Sequence, residues 1–432
     1  MKRSIIVLLV VVAVTLPLHA ADAARPNILI VISDDLDYGK LGYTGYKGAT
    51  TPHIDSIIES GTFFSNGYVS GPVCAPTRAG LMTGRYQARI RYETLTGPIP
   101  RQIKDDYGVD TREILLPQLL KEAGYTTGVI GKWHLGYNDK YHPNSRGVDY
   151  FFGFLAGGHD YFKWDTPEIS AMGGPILRNK EKVPGEGYIT EALAAEAAKF
   201  IHRHDDQPFL LYYSPFNVHG PFVVPDKYLP ENGDVMAGMI KAMDDSVGVI
   251  LEALRESGLM DNTLIVYVND NGGVRDNSPY RGRKGHLFEG GIRVPFAMSW
   301  PGHIPADGVY DQPVIQLDIL PTVVAAAGGS IPDDREYDGV NLLPWLTAEN
   351  TTAPHENLFW RYPSFGRAVR SGDFKLLLPR QGRPLLANLA NDPGEHNNIA
   401  TDHPAVVARL TKEIADWEAR MANPNQYGLP QR

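Results

Sequence analysis

The sequence of 432 residues contains a single cysteine, Cys74. One cysteine cannot form a disulfide bond within the chain, so no disulfide framework supports this fold. Basic residues are outnumbered as well, because 41 lysines and arginines face 50 aspartates and glutamates, for a formal net charge of −9. Nucleic-acid binding requires a basic surface that neutralises phosphates. We therefore expect no nucleic-acid partner.

Long apolar runs are scarce, and the main one lies at the N-terminus. Ile5–Leu18 follows Lys2 and Arg3 and precedes several alanines, which is the pattern of a secretory signal peptide. Pro17 interrupts the run, which is shorter than the roughly 20 residues that a membrane span needs. We predict a signal peptide over residues 1–20, export to the periplasm or the cell exterior, and no membrane-spanning segment.

An unpaired thiol is unusual in an exported protein and allows two interpretations. Cys74 is either a small buried apolar residue, the common fate of a free cysteine, or a residue kept for its chemistry. Its position in the sequence alone does not decide between them, but its neighbours do.

The composition, with 43% hydrophobic and 21% charged residues, is that of a folded chain with a large core. After the signal peptide, short β-branched runs alternate with amphipathic segments, which is typical of a mostly parallel sheet covered by helices on both faces. We predict an α/β domain over residues 24–335. Its predicted strands are Asn27–Ile32, Thr126–Ile130, Phe209–Tyr213, Leu264–Val268 and Phe296–Trp300, and its predicted helices include Leu116–Ala123, Thr190–His202 and Asp318–Ala327.

The pattern changes near residue 336. Short strand-like segments separated by turns predict a small antiparallel sheet, and apolar residues at helical spacing between Val406 and Trp417 predict one last helix. We therefore expect a smaller C-terminal α+β subdomain over residues 336–432 that completes the substrate pocket.

Polar residues follow four of the predicted strands, where an open α/β sheet binds its ligands. They are Asp34 and Asp35, Lys132 with His134, His219, and Asp270 with Asn271. Carboxylate and amide oxygens are ligands suited to Ca²⁺ or Mg²⁺, whereas no cluster of histidine and cysteine suggests zinc. Each Asp-Asp or Asp-Asn pair taken alone is also a common turn sequence.

The residues around Cys74 carry a recognisable motif. Cys74-Ala75-Pro76-Thr77-Arg78, followed by Leu81-Met82-Thr83-Gly84-Arg85, resembles the signature of the formylglycine-dependent sulfatases of the alkaline phosphatase superfamily. Other segments are similar to that family between Arg25 and Trp417, namely Gly131–Gly136, Arg283–Pro295 and Asn391–Glu395. Thr77 and Asp37 depart from the commonest family residues.

The resemblance implies a cofactor and a nucleophile. In the family, a separate maturation enzyme oxidises the cysteine to Cα-formylglycine, whose hydrate attacks sulfur and later expels sulfate. Calcium is the usual metal, with Mg²⁺ as the alternative. Carried onto this chain, the metal ligands are Asp34, Asp35, Cys74, Asp270 and Asn271.

The resemblance also implies catalytic roles. Arg78, Lys132 and Lys284 stabilise the charge that spreads over the sulfate oxygens as the ester bond breaks. His219, acting with Lys284, protonates the leaving oxygen, and His134 removes a proton from the second hydroxyl of the hydrate.

The expected substrate is a sulfated polysaccharide or its oligosaccharides. Candidate substrate-binding residues on the rims of the pocket are His159, Arg275, Arg281 and Arg283. Two other functions stay open: a phosphodiesterase or phosphonate monoester hydrolase of the same superfamily, and a non-catalytic sugar-binding homologue.

Overall fold

A computed structural model describes residues 25–95, 97, 99–165 and 173–422 of the chain. The predicted signal peptide lies outside these residues. Within them, the strands are β1 (Asn27–Ser33), β2 (Thr62–Phe64), β3 (Gly67–Tyr68), β4 (Thr126–Lys132), β5 (Tyr150–Phe154), β6 (Leu177–Arg178), β7 (Glu181–Lys182), β8 (Phe209–Ser214), β9 (Thr263–Asn269), β10 (Phe296–Ser299), β11 (Gly308–Tyr310), β12 (Val314–Ile315), β13 (Asn357–Tyr362), β14 (Gly366–Ser371), β15 (Phe374–Pro379) and β16 (Leu385–Asn388).

The α-helices of the same ranges run between and after these strands. They are α1 (Pro52–Glu59), α2 (Cys74–Thr83), α3 (Ile99–Lys104), α4 (Leu116–Glu122), α5 (Ile189–Arg203), α6 (Val235–Glu256), α7 (Glu289–Ile292), α8 (Ile319–Ala326), α9 (Leu343–Leu346) and α10 (Pro404–Glu418). No described helix is both long and apolar enough to cross a bilayer.

A ten-stranded sheet organises the larger part of the molecule. Its strand order is β11-β2-β10-β9-β1-β8-β4-β5-β6-β7. The five adjacent strands from β9 to β5 in this order are parallel to one another, while β10, β6 and β7 add antiparallel pairs towards the edges. The predicted large, mostly parallel sheet is confirmed.

Strand β1 shows why helices cover both faces of this sheet. All seven of its residues are buried, and successive side chains of a strand point to opposite faces. Ile28, Ile30 and Ile32 enter the core formed with α2, α4 and α8. Leu29 and Val31 enter the core formed with α1, α5 and α6. An unbroken apolar run is therefore what a strand at this position requires.

A separate four-stranded antiparallel sheet, β13-β14-β15-β16, lies near the C-terminus. Its alternating side chains also face two ways: Ala368 packs with Tyr68 and Trp360 against the larger part of the molecule, and Val369 packs with Leu410 of α10. The expected antiparallel sheet with a final helix is confirmed. The domain boundary at residue 336 stays a prediction.

A buried ion pair adjoins this C-terminal region and makes stability depend on pH. His355 Nε2 lies 2.9 and 3.0 Å from the two carboxylate oxygens of Asp318. Burial alone would lower the pKa of His355, but the negative charge of Asp318, with a smaller contribution from Asp338, raises it above its usual value. The protonated imidazole is therefore the form that the fold favours.

We expect this pair to stabilise the protein mainly on the acid side. Since the folded-state pKa of His355 is raised, its contribution is complete below the unfolded value of about 6.5 and disappears as pH rises through the folded value. His355→Gln keeps a donor but no charge, and should lower the melting temperature at pH 5.5–6.5 by more than at pH 9. Thermal melts of both proteins across this range check it, and a difference that does not change with pH would contradict it.

Candidate active site

The polar residues at the strand ends come together because their strands are neighbours. In the sheet order β9-β1-β8-β4, Asp270 follows β9, Asp34 and Asp35 follow β1, His219 follows β8, and Lys132 ends β4. Parallel strands place their carboxyl ends on one edge. Backbone hydrogen bonds join the segments that follow these strands. For example, the Asp34 N–H donates to the Asn217 carbonyl at 2.9 Å.

Helix α2 brings the Cys74 motif to the same edge. Cys74 is the first residue of the helix, and Arg78 lies one turn later on the same face. Both side chains are buried. The segment before the helix is joined to the Lys284 region, since Gly285 N–H donates to the Pro72 carbonyl at 2.8 Å.

The Arg78 guanidinium joins two carboxylates from different strands. One terminal nitrogen lies 3.2 Å from Asp34 and 2.9 Å from Asp270, and Nε donates to Asp270 at 3.0 Å. Its other terminal nitrogen donates to the Ser214 hydroxyl at 2.5 Å. Arg78 thus orients the acidic residues as well as supplying positive charge. Sequence reasoning missed Ser214, whose only signal was its place as the last residue of β8.

Two lysines neutralise the remaining carboxylate charge. Lys132 donates to Asp34 at 2.5 Å, and Lys284 lies 2.7 Å from Asp35. Asn271 also donates to Asp35, at 2.7 Å. The cluster therefore balances three carboxylates against three cationic side chains. A bound divalent cation would make it net positive, which suits an anionic substrate.

These charges set the protonation of the buried acids. Burial opposes ionisation of Asp34, but Lys132, His219 and Arg78 outweigh it and hold its pKa well below the usual range. Burial and the neighbouring charge of Asp34 raise the pKa of Asp270 to about 7. Two carboxylates close together cannot both ionise freely in a dry site without a further cation.

The two predicted catalytic histidines lie at the same edge. His219 Nε2 is 3.8 Å from Asp35, and burial lowers its pKa. His134 is buried, and its burial together with the charges of Lys132 and Arg78 lowers its pKa well below the usual value. His134 is therefore a neutral imidazole at neutral pH, which is the form that accepts a proton.

Two residues of the cluster have left-handed backbone conformations. Asp35 has φ of 60° and His134 has φ of 61°. Side chains other than glycine rarely adopt this region, and such strain collects at functional sites. Both residues stand two positions after the end of a strand, and the Asp35 carboxylate faces Lys284 and Asn271.

The oxygen atoms of this cluster fit a hard divalent cation. Asp34 Oδ1 and Asn271 Oδ1 are buried and accept no hydrogen bond from the described residues, a costly state for polar atoms unless a ligand satisfies them. Single ligand atoms of Asp34, Asp35 and His219 lie within 4.8 Å of one another. A donor set dominated by oxygen matches Ca²⁺ or Mg²⁺. Asp37 makes a different contact, in which its Oδ1 accepts a hydrogen bond from the backbone N–H of Arg275 at 3.2 Å.

The unmodified thiol of Cys74 is poorly suited to act as a nucleophile. Burial raises its pKa, and this effect exceeds the opposing influence of Lys132 and Lys284. A cysteine attacks as the thiolate. The unmodified thiol is therefore less reactive than an exposed cysteine.

The predicted substrate-binding residues divide into two groups. His159 is buried, with its ring nitrogens 2.7 and 2.9 Å from the carbonyls of Asp160 and Gly174. Its ring therefore does not lie on an open rim in this structure, and its contact with substrate stays a prediction. Arg275, Arg281 and Arg283 are exposed.

The exposed arginines lie on the loop that carries Lys284 and on the turn before it. The Arg275 guanidinium stacks over the exposed ring of Phe222, 4.6 Å from its centroid. Phe222 follows His219 by three residues, and Arg275 follows Asn271 by four. This pair therefore connects two loops that leave the catalytic edge.

The fold and the site define a hydrolase of the alkaline phosphatase superfamily. The Sulfatase family model matches residues 26–330, and the model of the N-sulphoglucosamine sulphohydrolase C-terminal region matches residues 283–420. The chain belongs to the sulfatase family and is a sulfuric ester hydrolase.

Similar proteins match along nearly the whole chain. N-acetylgalactosamine-6-sulfatase of Homo sapiens is 31% identical over 90% of this chain and 85% of its own. The crystal structure of Ps i-CgsB in complex with k-i-k-neocarrahexaose has a TM-score of 0.87 and 33% identity, covering 93% of this chain and 94% of that one. The PsFucS1 sulfatase from Pseudoalteromonas sp. has a TM-score of 0.80 and 26% identity, covering 94% and 92%.

Proposed function

We propose that this protein is an exported sulfatase that removes sulfate from a sulfated polysaccharide or its oligosaccharides, using formylglycine made from Cys74 and a bound Ca²⁺. The observation that carries the proposal is the meeting of Cys74 with balanced carboxylates and cations at one buried edge of the sheet. Export follows from the predicted signal peptide, and a separate maturation enzyme is the partner that would modify Cys74.

The residues of the site suit the steps of sulfate ester hydrolysis. Asp34, Asp35, Asp270 and Asn271 would hold the cation, with residue 74 beside them. The hydrated aldehyde and the cation together supply a nucleophilic oxygen and a Lewis acid for the sulfate oxygens. The remaining chemistry belongs to unmodified side chains.

Positive charge and proton transfer are the work of those side chains. Lys132 and Lys284 stabilise charge on the sulfate oxygens as the bond to the sugar breaks. Surrounding negative charge raises the pKa of Lys284 despite its burial, so Lys284 stays protonated. Lys284 and His219 both lie against Asp35, and we propose that Lys284 supplies the proton that His219 passes to the leaving oxygen. His134, neutral at neutral pH, takes the proton whose removal releases sulfate.

A carbohydrate substrate is supported by the relatives. Ps i-CgsB is seen with a neocarrahexaose, and the human relative is named for a sulfated amino sugar. A polymer that carries several sulfates would place further anionic groups outside the catalytic edge. We propose that Arg275, Arg281 and Arg283 bind such groups, with His159 as the remaining candidate.

Arg275 is the sharpest of these substrate contacts to test. Arg275→Ala removes one charge-assisted contact, which should raise KM for a multiply sulfated oligosaccharide about tenfold while leaving kcat nearly unchanged. Arg255→Ala is the matched control, because Arg255 is also exposed but pairs with Glu252 near the end of α6. Steady-state sulfate release measures both. Equal KM values for the two variants would remove Arg275 from the substrate site.

The function itself is tested by comparing ester classes on the enzyme purified with its maturation partner. We compare kcat/KM for the two classes of ester. The value for sulfated galactan or glycosaminoglycan oligosaccharides should exceed the value for phosphodiesters and phosphonate monoesters about 100-fold or more. Preference for the phosphorus esters would establish the alternative hydrolase. Binding of sulfated sugars without any turnover would establish the non-catalytic homologue.

A further inference from the structure

A buried charge cluster lies behind the loop that carries Lys284. Glu289, Lys375 and Glu395 are all fully buried, and they come from three separate places: the start of α7, strand β15 and the turn after β16. Lys375 Nζ lies 2.8 Å from Glu289 and 3.0 Å from Glu395. None of these side chains belongs to the catalytic cluster described above.

Glu395 contacts both ends of this loop, which we call the Lys284 loop (residues 281–292). At one end, Arg281 donates to the Glu395 carbonyl at 3.1 Å. At the other, the Glu289 backbone N–H donates to the Glu395 carboxylate at 2.6 Å. Glu395 itself has a left-handed backbone with φ of 53°, a strained conformation that the surrounding contacts must maintain.

Backbone hydrogen bonds join the ends of the loop to each other and to the segment that follows β9 at the catalytic edge. Gly290 N–H donates to the Arg281 carbonyl at 2.7 Å, which closes the loop on itself, and Gly272 N–H donates to Gly291 at 3.1 Å. Lys284 N–H donates to the Gly273 carbonyl at 3.0 Å. A Cβ on Gly291 would stand 2.0 Å from the His286 carbonyl. The loop is therefore packed backbone against backbone and has little freedom once both ends are fixed.

Buried charges hold the anchor in place. Despite burial, the charges of Lys375 and Arg293 lower the pKa of Glu289 to about 2. The Tyr68 hydroxyl donates to the same carboxylate at 2.6 Å. Removing one member would leave a buried charge without its partner, which is far costlier than losing an exposed ion pair.

We infer that Glu395 and Lys375 are positioning residues that fix the Lys284 loop and so hold the Lys284 ammonium against Asp35 in the catalytic cluster. The C-terminal region thereby contributes to catalysis without touching the substrate. This inference rests on the proposed function, in which Lys284 acts on the sulfate and on the leaving oxygen.

A double-mutant cycle separates positioning from plain destabilisation. Glu395→Gln keeps the size of the side chain but loses the charge that faces Lys375. In wild type one carboxylate oxygen of Glu395 accepts the Glu289 N–H and the other faces Lys375, and the amide of glutamine has only one oxygen for these two donors. Glu395→Gln should therefore lower kcat about tenfold with little change in KM, since small misplacement of a catalytic group costs that much. In a Lys284→Ala background the same change should have less than about a twofold further effect, because the group that it positions is gone.

Ile414→Val is the matched control. Ile414 is buried between α10 and the small sheet, so this change lowers the melting temperature without reaching the Lys284 loop. It should leave kcat unchanged in both backgrounds. If Glu395→Gln does not fold, Glu395→Asp retains the charge but withdraws the carboxylate by one methylene, and the same pattern is expected from it.

Hydrogen exchange provides a readout that does not need turnover. Amides of residues 284–291 should exchange faster in Glu395→Gln than in the wild type, while Ile414→Val leaves them unchanged. Equal factors in both Lys284 backgrounds, an unchanged kcat, or unchanged loop exchange would overturn the inference. An inactive wild type would instead refute the proposed function, and the exchange comparison would still test the positioning.

Discussion

Cys74→Ala is expected to reduce sulfate release by about 10⁴-fold or more, since removal of a covalent nucleophile leaves only binding and electrostatic stabilisation. The fold should survive, because Cys74 is a small buried residue at the start of α2 and alanine is a good helix former. Steady-state assays on a sulfated oligosaccharide measure the loss, and a melting temperature within a few degrees of the wild type shows that the fold is retained.

Cys74→Ser provides the matched control for this prediction. Serine keeps a small polar side chain but offers no aldehyde in a host whose maturation enzyme acts on cysteine. After attack on sulfur, a serine oxygen has no second hydroxyl with which to expel sulfate. We expect this variant to be as inactive as Cys74→Ala. Activity of Cys74→Ala near that of the wild type would show that residue 74 is not the nucleophile. The same result for Cys74→Ser would show that residue 74 acts without an aldehyde.

Removal of the divalent cation is expected to abolish sulfate release and to lower the melting temperature. Without the cation, the Asp34 and Asn271 oxygens lose the partner that would satisfy them, and the balanced charge of the cluster no longer favours an anionic ester. Restoring Ca²⁺ at about 100 times its Kd should return roughly 2.7 kcal/mol of stability. Activity and thermal melts of the chelated protein, before and after the addition, measure both effects.

Separate additions of Ca²⁺ and of Mg²⁺ to the chelated protein distinguish the two candidate ions. We expect recovery at a lower concentration of Ca²⁺, because Mg²⁺ usually keeps several of its waters whereas the oxygen ligands of this cluster are buried. Asn271→Ala should weaken the recovery, whereas His202→Ala, whose residue is exposed at the end of α5 and outside the catalytic edge, should not. Full activity after exhaustive chelation, with no shift in melting temperature on adding either ion, would contradict the metal site.

The parallel framework was predictable because its local and global signals agree. Asn27–Ile32 reads as a buried strand and is one, since both faces of β1 are covered. Helix α2 was missed because all ten of its residues are buried, so no polar face reveals the helical period. Strand β5 was missed because Gly153 interrupts its run of aromatic residues.

The strand-end residues of the candidate site were predictable, and their connections were not. Sequence placed Asp34 and Asp270 at strand ends, but only the sheet order makes β1 and β9 neighbours. The bridge from Arg78 to both acids needs that order as well. His159 was expected on a rim of the pocket, but its ring is buried against backbone carbonyls. Glu395 lies in the segment Asn391–Glu395 that resembles the family. Its contacts with Glu289 and Lys375 join residues far apart in the sequence, so no local pattern predicts them.

The most direct test of the proposed chemistry is a mass spectrum of the tryptic peptide of residues 48–78, which contains Cys74. The protein should be purified from a host that has an active maturation enzyme. We predict a peptide lighter than the cysteine form by the difference between a thiol and an aldehyde, and reactive towards aldehyde probes. An unmodified thiol, in a host that converts a known sulfatase, would contradict the formylglycine nucleophile.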